Sequence, residues 1–378
     1  MPPHTTIIVG AGSSGCVLAH RLTAPPTAAG CRVILLETGG DVRTAARGSH
    51  MVSPNPMDVI GDDAWSFNAG MTARRTTAQQ PATYWRGKGV GGSSSINGMQ
   101  AIRGTPEDFD SWTAAGCEGW GADDVLPFYK LLETDLDFGQ SNPAAHGSAG
   151  PLPIGRHSAD QSTWGGADRA FYAACSQGLG WAEVPDHNAF ERGAVGVSRF
   201  ARNDVLPNNR GESGTPGATL GRVSAADAWL DPIREDPANP LEIRTGLTVE
   251  RILFDEATGQ RAIGVVCRRE TDGGGDADGG GELVEVLGDE VILCAGAVHS
   301  PAILQRSGIG PAPLLQGLGV AVRAELPVGE NFQDHPGLRL AIPLAPHAQV
   351  SMDTHQGSFM QSLSSCFLLK FFLHETFD

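Results

Sequence analysis

The chain has 378 residues, 40% of them apolar, enough to bury the core of two domains or one large one. Its 27 Lys and Arg against 43 Asp and Glu leave a formal charge of -16, which opposes non-specific binding to nucleic acid or to an anionic membrane surface. No stretch reaches the roughly 18 apolar residues of a membrane span, so no transmembrane segment is expected.

An apolar run from Thr6 to Val9 enters Gly10-Ala11-Gly12-Ser13-Ser14-Gly15, and a helix is predicted from Ser13 or Ser14 to Thr23, ended by Pro25-Pro26. Val33 to Leu36 is a second strand, and Glu37 closes it 22 residues beyond Gly15. Strand, glycine turn, helix, strand and acid in this order read as a dinucleotide site. Gly10 and Gly12 allow a tight turn and close approach to a pyrophosphate, and Gly15 lets the helix pack on the strand. The helix N-terminus favours the phosphates' negative charge. Glu37 is placed to accept hydrogen bonds from the adenosine ribose hydroxyls, which argues against a 2'-phosphorylated nucleotide. The turn alone does not separate FAD from NAD. Gly39 to Met71, rich in Gly, Asp and Pro, reads as an excursion that covers the cofactor.

The next block, Tyr84 to Met99, holds five glycines, three serines and two cations in sixteen residues, a composition that suits neither helix nor core strand. Its N-H groups suit an anion nest, with Arg86 or Lys88 to balance phosphate charge. Thr105-Pro106 starts a helix, Asp123 to Leu132 is a second, and Trp112, Trp120 and Phe128 read as packing residues. Gly147 to Ile154 is a turn into an extended piece, Asp168 to Leu179 a helix, Asn208 to Arg222 a crossing between layers, and Ser224 to Leu230 a short helix. Leu241 to Phe254 is a β unit. Ala262 to Arg268 and Leu283 to Leu287 add strands around an acidic glycine-rich loop, Asp272 to Gly281. Glu290 to Ala297 returns as a buried strand of the parallel sheet, which implies a discontinuous nucleotide domain. Ser300 then caps a helix with Pro301 at its first position, closed by Ser307-Gly308. Leu314, Leu315 and Leu318 begin another packing segment, and Pro327 to Pro336 is turn-rich.

Seven scattered cysteines with no CxxC pair suit a reducing compartment, and nothing ahead of Ile7 reads as a signal peptide, so cytoplasmic residence is expected. The histidines share no metal-ligand spacing and no metal is expected. His4, His20, His50, His146, His157, His187, His347, His355 and His374 read as surface residues, and His299 as structural or solvated.

These blocks, in this order from Ile7 to about Ala345, resemble the glucose-methanol-choline (GMC) oxidoreductase family: the fingerprint with Glu37, Gly91 to Met99, Gly296 to Gly310, and Val328 to Pro336. The resemblance implies an α/β fold: a Rossmann-like FAD-binding domain with a parallel sheet and helices, a β-containing insertion and a partial α+β substrate domain. The domains would be 1–135 and 224–345 for FAD, 136–223 for substrate, and an atypical tail at 346–378. By resemblance Gly10, Gly12, Ser14, Gly15 and Glu37 hold the ADP part of FAD, with Arg86 and Ala295 also in the cofactor site. Val90, Gly91, Gly92, Ser94, Asn97, Gly98 and Met99 follow pyrophosphate, ribityl and ring. Val249 contacts the adenine through its backbone, and Asp334 and His335 close around the flavin end. Relatives that attach FAD covalently do so through a histidine immediately before the loop asparagine. Ile96 stands there in this chain, so non-covalent FAD is expected.

The activity implied is oxidation of small-molecule alcohols by hydride transfer to flavin N5, and the loop Ser94-Ser95-Ile96-Asn97-Gly98-Met99 together with Arg103-Gly104 looks nearest the choline and aryl-alcohol dehydrogenase side of the family. The family's basic histidine has no match up to Asp378, so no catalytic residue is assigned, and an incomplete copy with feeble or absent alcohol oxidation is expected. Two other readings stand beside it: a non-catalytic flavin-binding or interaction protein, and an NAD-dependent dehydrogenase that leaves Gly91 to Met99 unexplained.

Overall fold

The computed structural model describes residues 3–25, 31–41, 65–67, 72–73, 82–156, 159–164, 166–193, 195–203, 222–255, 257, 259–270 and 281–334. Most of the Gly39 to Met71 excursion, nearly all of the acidic loop at 272–281, His335 and the tail at 346–378 lie outside the described residues. The chain divides into two compact units, one formed by Met1–Asn97 with Val223–Phe332, the other by Gly98–Arg222 with Gln333 and Asp334. In chain order the first unit begins with β1 (His4–Val9), α1 (Ser13–Thr23), β2 (Cys31–Leu36), β3 (Thr72–Ala73) and β4 (Ala82–Thr83). The second unit holds α2 (Pro106–Ala114), α3 (Ala122–Leu132), β5 (Glu133–Asp135), β6 (Leu152–Arg156), α4 (Gly166–Ala173) and β7 (Ala201–Arg202). The first unit resumes with α5 (Asp231–Arg234), β8 (Leu241–Arg244), β9 (Leu247–Phe254), β10 (Ala262–Arg269), β11 (Leu283–Leu287), β12 (Glu290–Leu293), α6 (Gly296–Arg306) and α7 (Ala312–Gly317).

The first unit is built on a parallel sheet of order β12-β1-β2-β8, with Ile7 opposite both Val291 and Ile34. Strands buried on both faces need unbroken apolar runs, and Ile7, Ile8, Val33 and Leu35 are fully buried. The late strand β12 pairs directly with β1, as the sequence reading requires, but it is confined to Glu290–Leu293 at the sheet edge and is exposed to half-buried rather than buried. Leu241 to Phe254, read as one β unit, is divided instead. Gly246, at φ +69°, turns the chain so that β8 joins the parallel sheet while β9 edges an antiparallel sheet of order β11-β10-β9. That second sheet and α6 share one core with the first, in which Ile7, Val9, Ile34 and Leu36 pack with Val249, Ile252, Val265, Cys267, Val286 and Ile303.

α1 occupies the expected residues and packs on β2 and on the helical turn Ala226–Leu230. α6 does not begin at Ser300. It starts at Gly296, where φ +78° makes the strand-to-helix turn, and Pro301 sits in the helix interior at the loss of one ladder bond. Its end is as expected, with Ser307 as cap and Gly308 at φ +84°.

In the second unit α2 opens with a capping box: Asp108 N-H donates to Thr105 Oγ1 while Thr105 N-H donates to Asp108 Oδ2, and Pro106 takes the first helical position. α2 and α3 enclose Phe109, Ala122 and Val125, with Tyr129 and Phe190 against them. Both helices lie within the second unit. Trp112, Trp120 and Phe128 are 47%, 56% and 67% exposed rather than buried, although the Trp112 ring still meets Phe109 edge-on at 5.3 Å and Trp120 at 6.2 Å. The segment from Asp168 to Leu179 starts as α4 and widens into a π turn at Ala174–Gly178. Strand β6 pairs parallel with β5 and antiparallel with β7.

Candidate functional site

The parallel strands β1, β2 and β12 end on one edge of their sheet, the place where open α/β sheets receive ligands. There Gly10 lies at φ +99° and donates its N-H to Leu36 O at 2.8 Å. A Cβ on Gly10 would meet Cys294 O at 2.6 Å and Ala295 Cα at 3.0 Å, so the turn from β12 into α6 lies directly against the glycine turn. A Cβ on Gly15 would stand 2.0 Å from Gly10 O, the close helix-on-strand approach that its position calls for. Gly12 is different. Its Cβ would find nothing nearer than Gly92 Cα at 4.0 Å, and Ser13 and Ser14 beside it are exposed. The first helical bond of α1 runs from Cys16 N-H to Gly12 O, so the N-H groups of Ser13, Ser14 and Gly15 precede the ladder, with Ser13 and Ser14 exposed and Gly15 buried. An anionic group thus has both room and donors at this turn. Cys16 itself is fully buried, and burial pushes its thiol up to about 12.

Glu37 is 7% exposed at the end of β2. Its Oε2 accepts the Ala11 N-H, and its Oε1 accepts the N-H groups of Gly39 and Gly89, each at 2.9 Å. One carboxylate therefore joins the glycine turn, the end of its own strand and the serine-glycine loop. A ligand role is what the spacing predicts for Glu37. The three backbone donors are an additional task that no residue pattern announces. Oε1 is saturated by two donors, whereas Oε2 keeps one acceptor site.

The loop after β4 lies on the nucleotide turn. Gly91 N-H donates to Ala11 O at 2.7 Å, fully buried Val90 donates to Gly40 O at 3.1 Å, and a Cβ on Gly92 would sit 2.7 Å from Gly12 Cα. Gly89, Gly91 and Gly92 adopt φ of +129°, +97° and +52°, which explains the glycine density chemically. Ser94 lies in the 3-10 turn Gly92–Ser95, donates to Gly91 O and accepts the Ala225 N-H. Asn97 is exposed, and a Cβ on Gly98 would meet nothing within 4 Å. Met99, of the second unit, is buried at φ +58°.

Arg86 places its guanidinium carbon 3.7 Å from the Tyr84 ring centre and donates to Trp85 O, while Tyr84 meets Phe332 edge-on at 5.7 Å. Lys88 is paired with Glu270 at 3.4 Å. Val249 is buried in the shared core, and its carbonyl accepts from Arg306 Nη2 at 3.3 Å. Ala295 caps α6 beside Gly10, and Asp334 is exposed at the end of the described chain. The structure therefore brings together Gly10, Gly12, Ser14, Gly15, Glu37, Val90, Gly91, Gly92, Ser94 and Ala295.

Two histidines depart from their sequence reading or add to it. His146, expected on the surface, is 2% exposed within a buried ionic cluster of the second unit. His299 packs its ring 4.5 Å from Phe67, burial lowers its pKa, and its buried Nε2 has no hydrogen-bond partner among the described residues. Among those residues no helix is long and apolar enough to cross a membrane.

A family model described as GMC oxidoreductase matches residues 4–337. The chain is 38% identical over 335 residues to the oxygen-dependent choline dehydrogenase of Yersinia pseudotuberculosis, an alignment covering 87% of this chain and 52% of that protein. It is similar to the crystal structure of pyridoxine 4-oxidase from Mesorbium loti, with 31% identity, a TM-score of 0.68, and coverage of 86% of this chain and 55% of that one. It is also similar to an FAD-dependent oxidoreductase from Chaetomium thermophilum, with 25% identity, a TM-score of 0.72, and coverage of 96% and 59%. The chain spans 52% of the length of that choline dehydrogenase and 60% of the 5-(hydroxymethyl)furfural oxidase of Methylovorus sp., to which it is 34% identical over 92% of its own residues.

Proposed function

The chain belongs to the GMC oxidoreductase family, and from that premise we propose that it binds FAD without a covalent link and serves the oxidation of the CH-OH group of small alcohols. The observation that carries this reading is the docking of Gly91 and Gly92 on Ala11 and Gly12, which extends the nucleotide turn by a second backbone-lined surface.

When bound, FAD supplies the acceptor for the hydride that leaves the alcohol carbon. The residues of this chain bind and orient. The N-H groups of Ser13, Ser14 and Gly15 would hold pyrophosphate oxygens, with Gly12 leaving room for them. The remaining acceptor site on Glu37 Oε2 would take a ribose hydroxyl, and Val249 would contribute its backbone to the adenine end. Val90 to Asn97 would run along the rest of the cofactor, and Arg86 would add positive charge. Ile96, 6% exposed, is a hydrocarbon side chain with no nucleophile for a flavin bond. The six described cysteines are free thiols, which supports residence in a reducing compartment.

The test is retention. After incubation with FAD and desalting, the expected result is a flavin spectrum co-eluting with the chain and full release of flavin on acid precipitation. Folded, colourless protein overturns the cofactor assignment, and flavin that stays in the acid pellet overturns the non-covalent one.

A further inference from the structure

The second unit contains a cluster of ionised side chains that the cofactor site does not use. Strand β5 contributes Glu133 and Asp135, β6 contributes Arg156, and Arg103, His146 and Asp186 come from three loops. All six side chains are between 0% and 8% exposed. The His146 Nδ1 lies 2.9 Å from Glu133 Oε1 and 3.1 Å from Asp135 Oδ2, while Nε2 lies 2.7 Å from Asp186 Oδ2. Arg103 Nη2 is 2.6 Å from Glu133 Oε1. Arg156 spans two acids, with Nη1 at 2.9 Å from Asp135 Oδ2 and Nη2 at 2.8 Å from Asp186 Oδ1. Part-exposed Asp137 accepts the Arg156 backbone N-H at the rim, Tyr129 lies under Arg103, and Phe138 lies under Arg156 beside the His146 ring.

An ionised carboxylate only accepts hydrogen bonds, so an imidazole with a carboxylate at each nitrogen must donate from both. The charge count agrees. Among the described residues three buried carboxylates face two guanidinium groups, while Asp137, 3.6 Å from Arg156 Nη1, stands at the part-exposed rim; a doubly protonated His146 brings the buried set to neutrality, whereas a neutral ring leaves an uncompensated negative charge away from water. We propose that the second unit is locked by one trapped proton on His146, so that this histidine is a fixed structural cation whose loss in alkali opens the lock.

Electrostatics support the geometry. Burial opposes charging the ring, but hydrogen bonds to Asp135, Asp186 and Glu133 outweigh it and push His146 up to about 10. Burial likewise raises Asp135 and Asp186, yet the hydrogen bond from His146 and the charge of Arg156 hold both below the usual carboxylate range. Neighbouring His187 is lowered to about 4, chiefly by burial, and stays neutral. Donor atoms of Glu133, Asp135 and His146 lie within 4.8 Å of one another, a spacing that a divalent cation also accepts. Two guanidinium groups already hold these carboxylates, and a metal would have to expel the Nδ1 proton and sit against both.

The sign of the pH dependence follows from a raised imidazole value. The stabilisation is complete below the unfolded value of about 6.5, declines as pH rises from there, and is gone above about 10. The direct test is 15N-histidine NMR of the intact chain at about pH 8, well above an ordinary imidazole value of about 6.5, with the His146 signals assigned through the Phe138 ring. Protons on both ring nitrogens are expected; a single protonated nitrogen overturns the proposal. Added zinc is expected to change neither those signals nor the thermal midpoint, and a raised midpoint with loss of the ring protons overturns it in favour of a metal site. A double variant, His146→Asn with Glu133→Gln, is expected to melt above His146→Asn alone, since it removes a charge of each sign; equal or lower melting counts against charge balance.

Discussion

Replacing Glu37 by Gln separates its structural task from its ligand task. The side chain keeps its length and one acceptor oxygen, which can hold the Gly39 and Gly89 N-H groups where Oε1 holds them now. The new NH2 then faces the Ala11 N-H across a buried contact of 2.9 Å, donor against donor. One unsatisfied buried donor costs about 1–3 kcal/mol, and the two surviving bonds lose their charge assistance at roughly 0.5 kcal/mol or more each, so about 3 kcal/mol is expected in total. Glu37→Ala frees all three donors and is expected to cost about 4–5 kcal/mol, near the upper end for a single substitution. The assay is urea unfolding of flavin-free chain followed by tryptophan fluorescence, because bound cofactor would add its own stabilisation. A Glu37→Gln protein within about 0.5 kcal/mol of the parent refutes the claim that this carboxylate joins three segments.

Three other outcomes follow from the geometry. Gly92→Ala puts a Cβ 2.7 Å from Gly12 Cα at φ +52°, and is expected to lose about 1–3 kcal/mol of stability and at least about tenfold in FAD affinity by fluorescence titration; unchanged affinity would separate the loop from the cofactor. Thr105→Ala removes the α2 cap and is expected to cost about 1 kcal/mol by urea unfolding, with no change in FAD retention. Cys16, with its thiol pushed up to about 12, is expected to resist iodoacetamide at about pH 8 until the chain is unfolded, while exposed Cys117 reacts at once; rapid labelling of Cys16 in folded protein contradicts its burial.

What could be read from residues alone was set by how local the signal is. β1, the glycine turn, α1 and β2 repeat their periods within a few residues, and Gly10 and Gly15 announce close approach by lacking a side chain. Thr105-Pro106 with Asp108 is likewise a complete capping signal within four residues. Gly246 hides the break between β8 and β9, because a lone glycine in an apolar run looks like a strand flaw until its φ is known. Pro301 misled in the opposite direction: a proline marks helix starts more often than interiors, and here Gly296 had already turned the chain. His146 looked like a surface residue because its partners Glu133 and Asp186 lie 13 and 40 residues away. The triple use of Glu37 left no trace, since its donors are backbone groups that any residue supplies.

If the glycine turn and the serine-glycine loop form one surface for FAD, titration of the folded chain with FAD, followed by flavin fluorescence with NADH as competitor, shows it. Saturation at one FAD per chain is expected, with little displacement by excess NADH and at least about tenfold weaker binding in Gly92→Ala. Saturable NADH binding by a folded chain that leaves FAD free would contradict it.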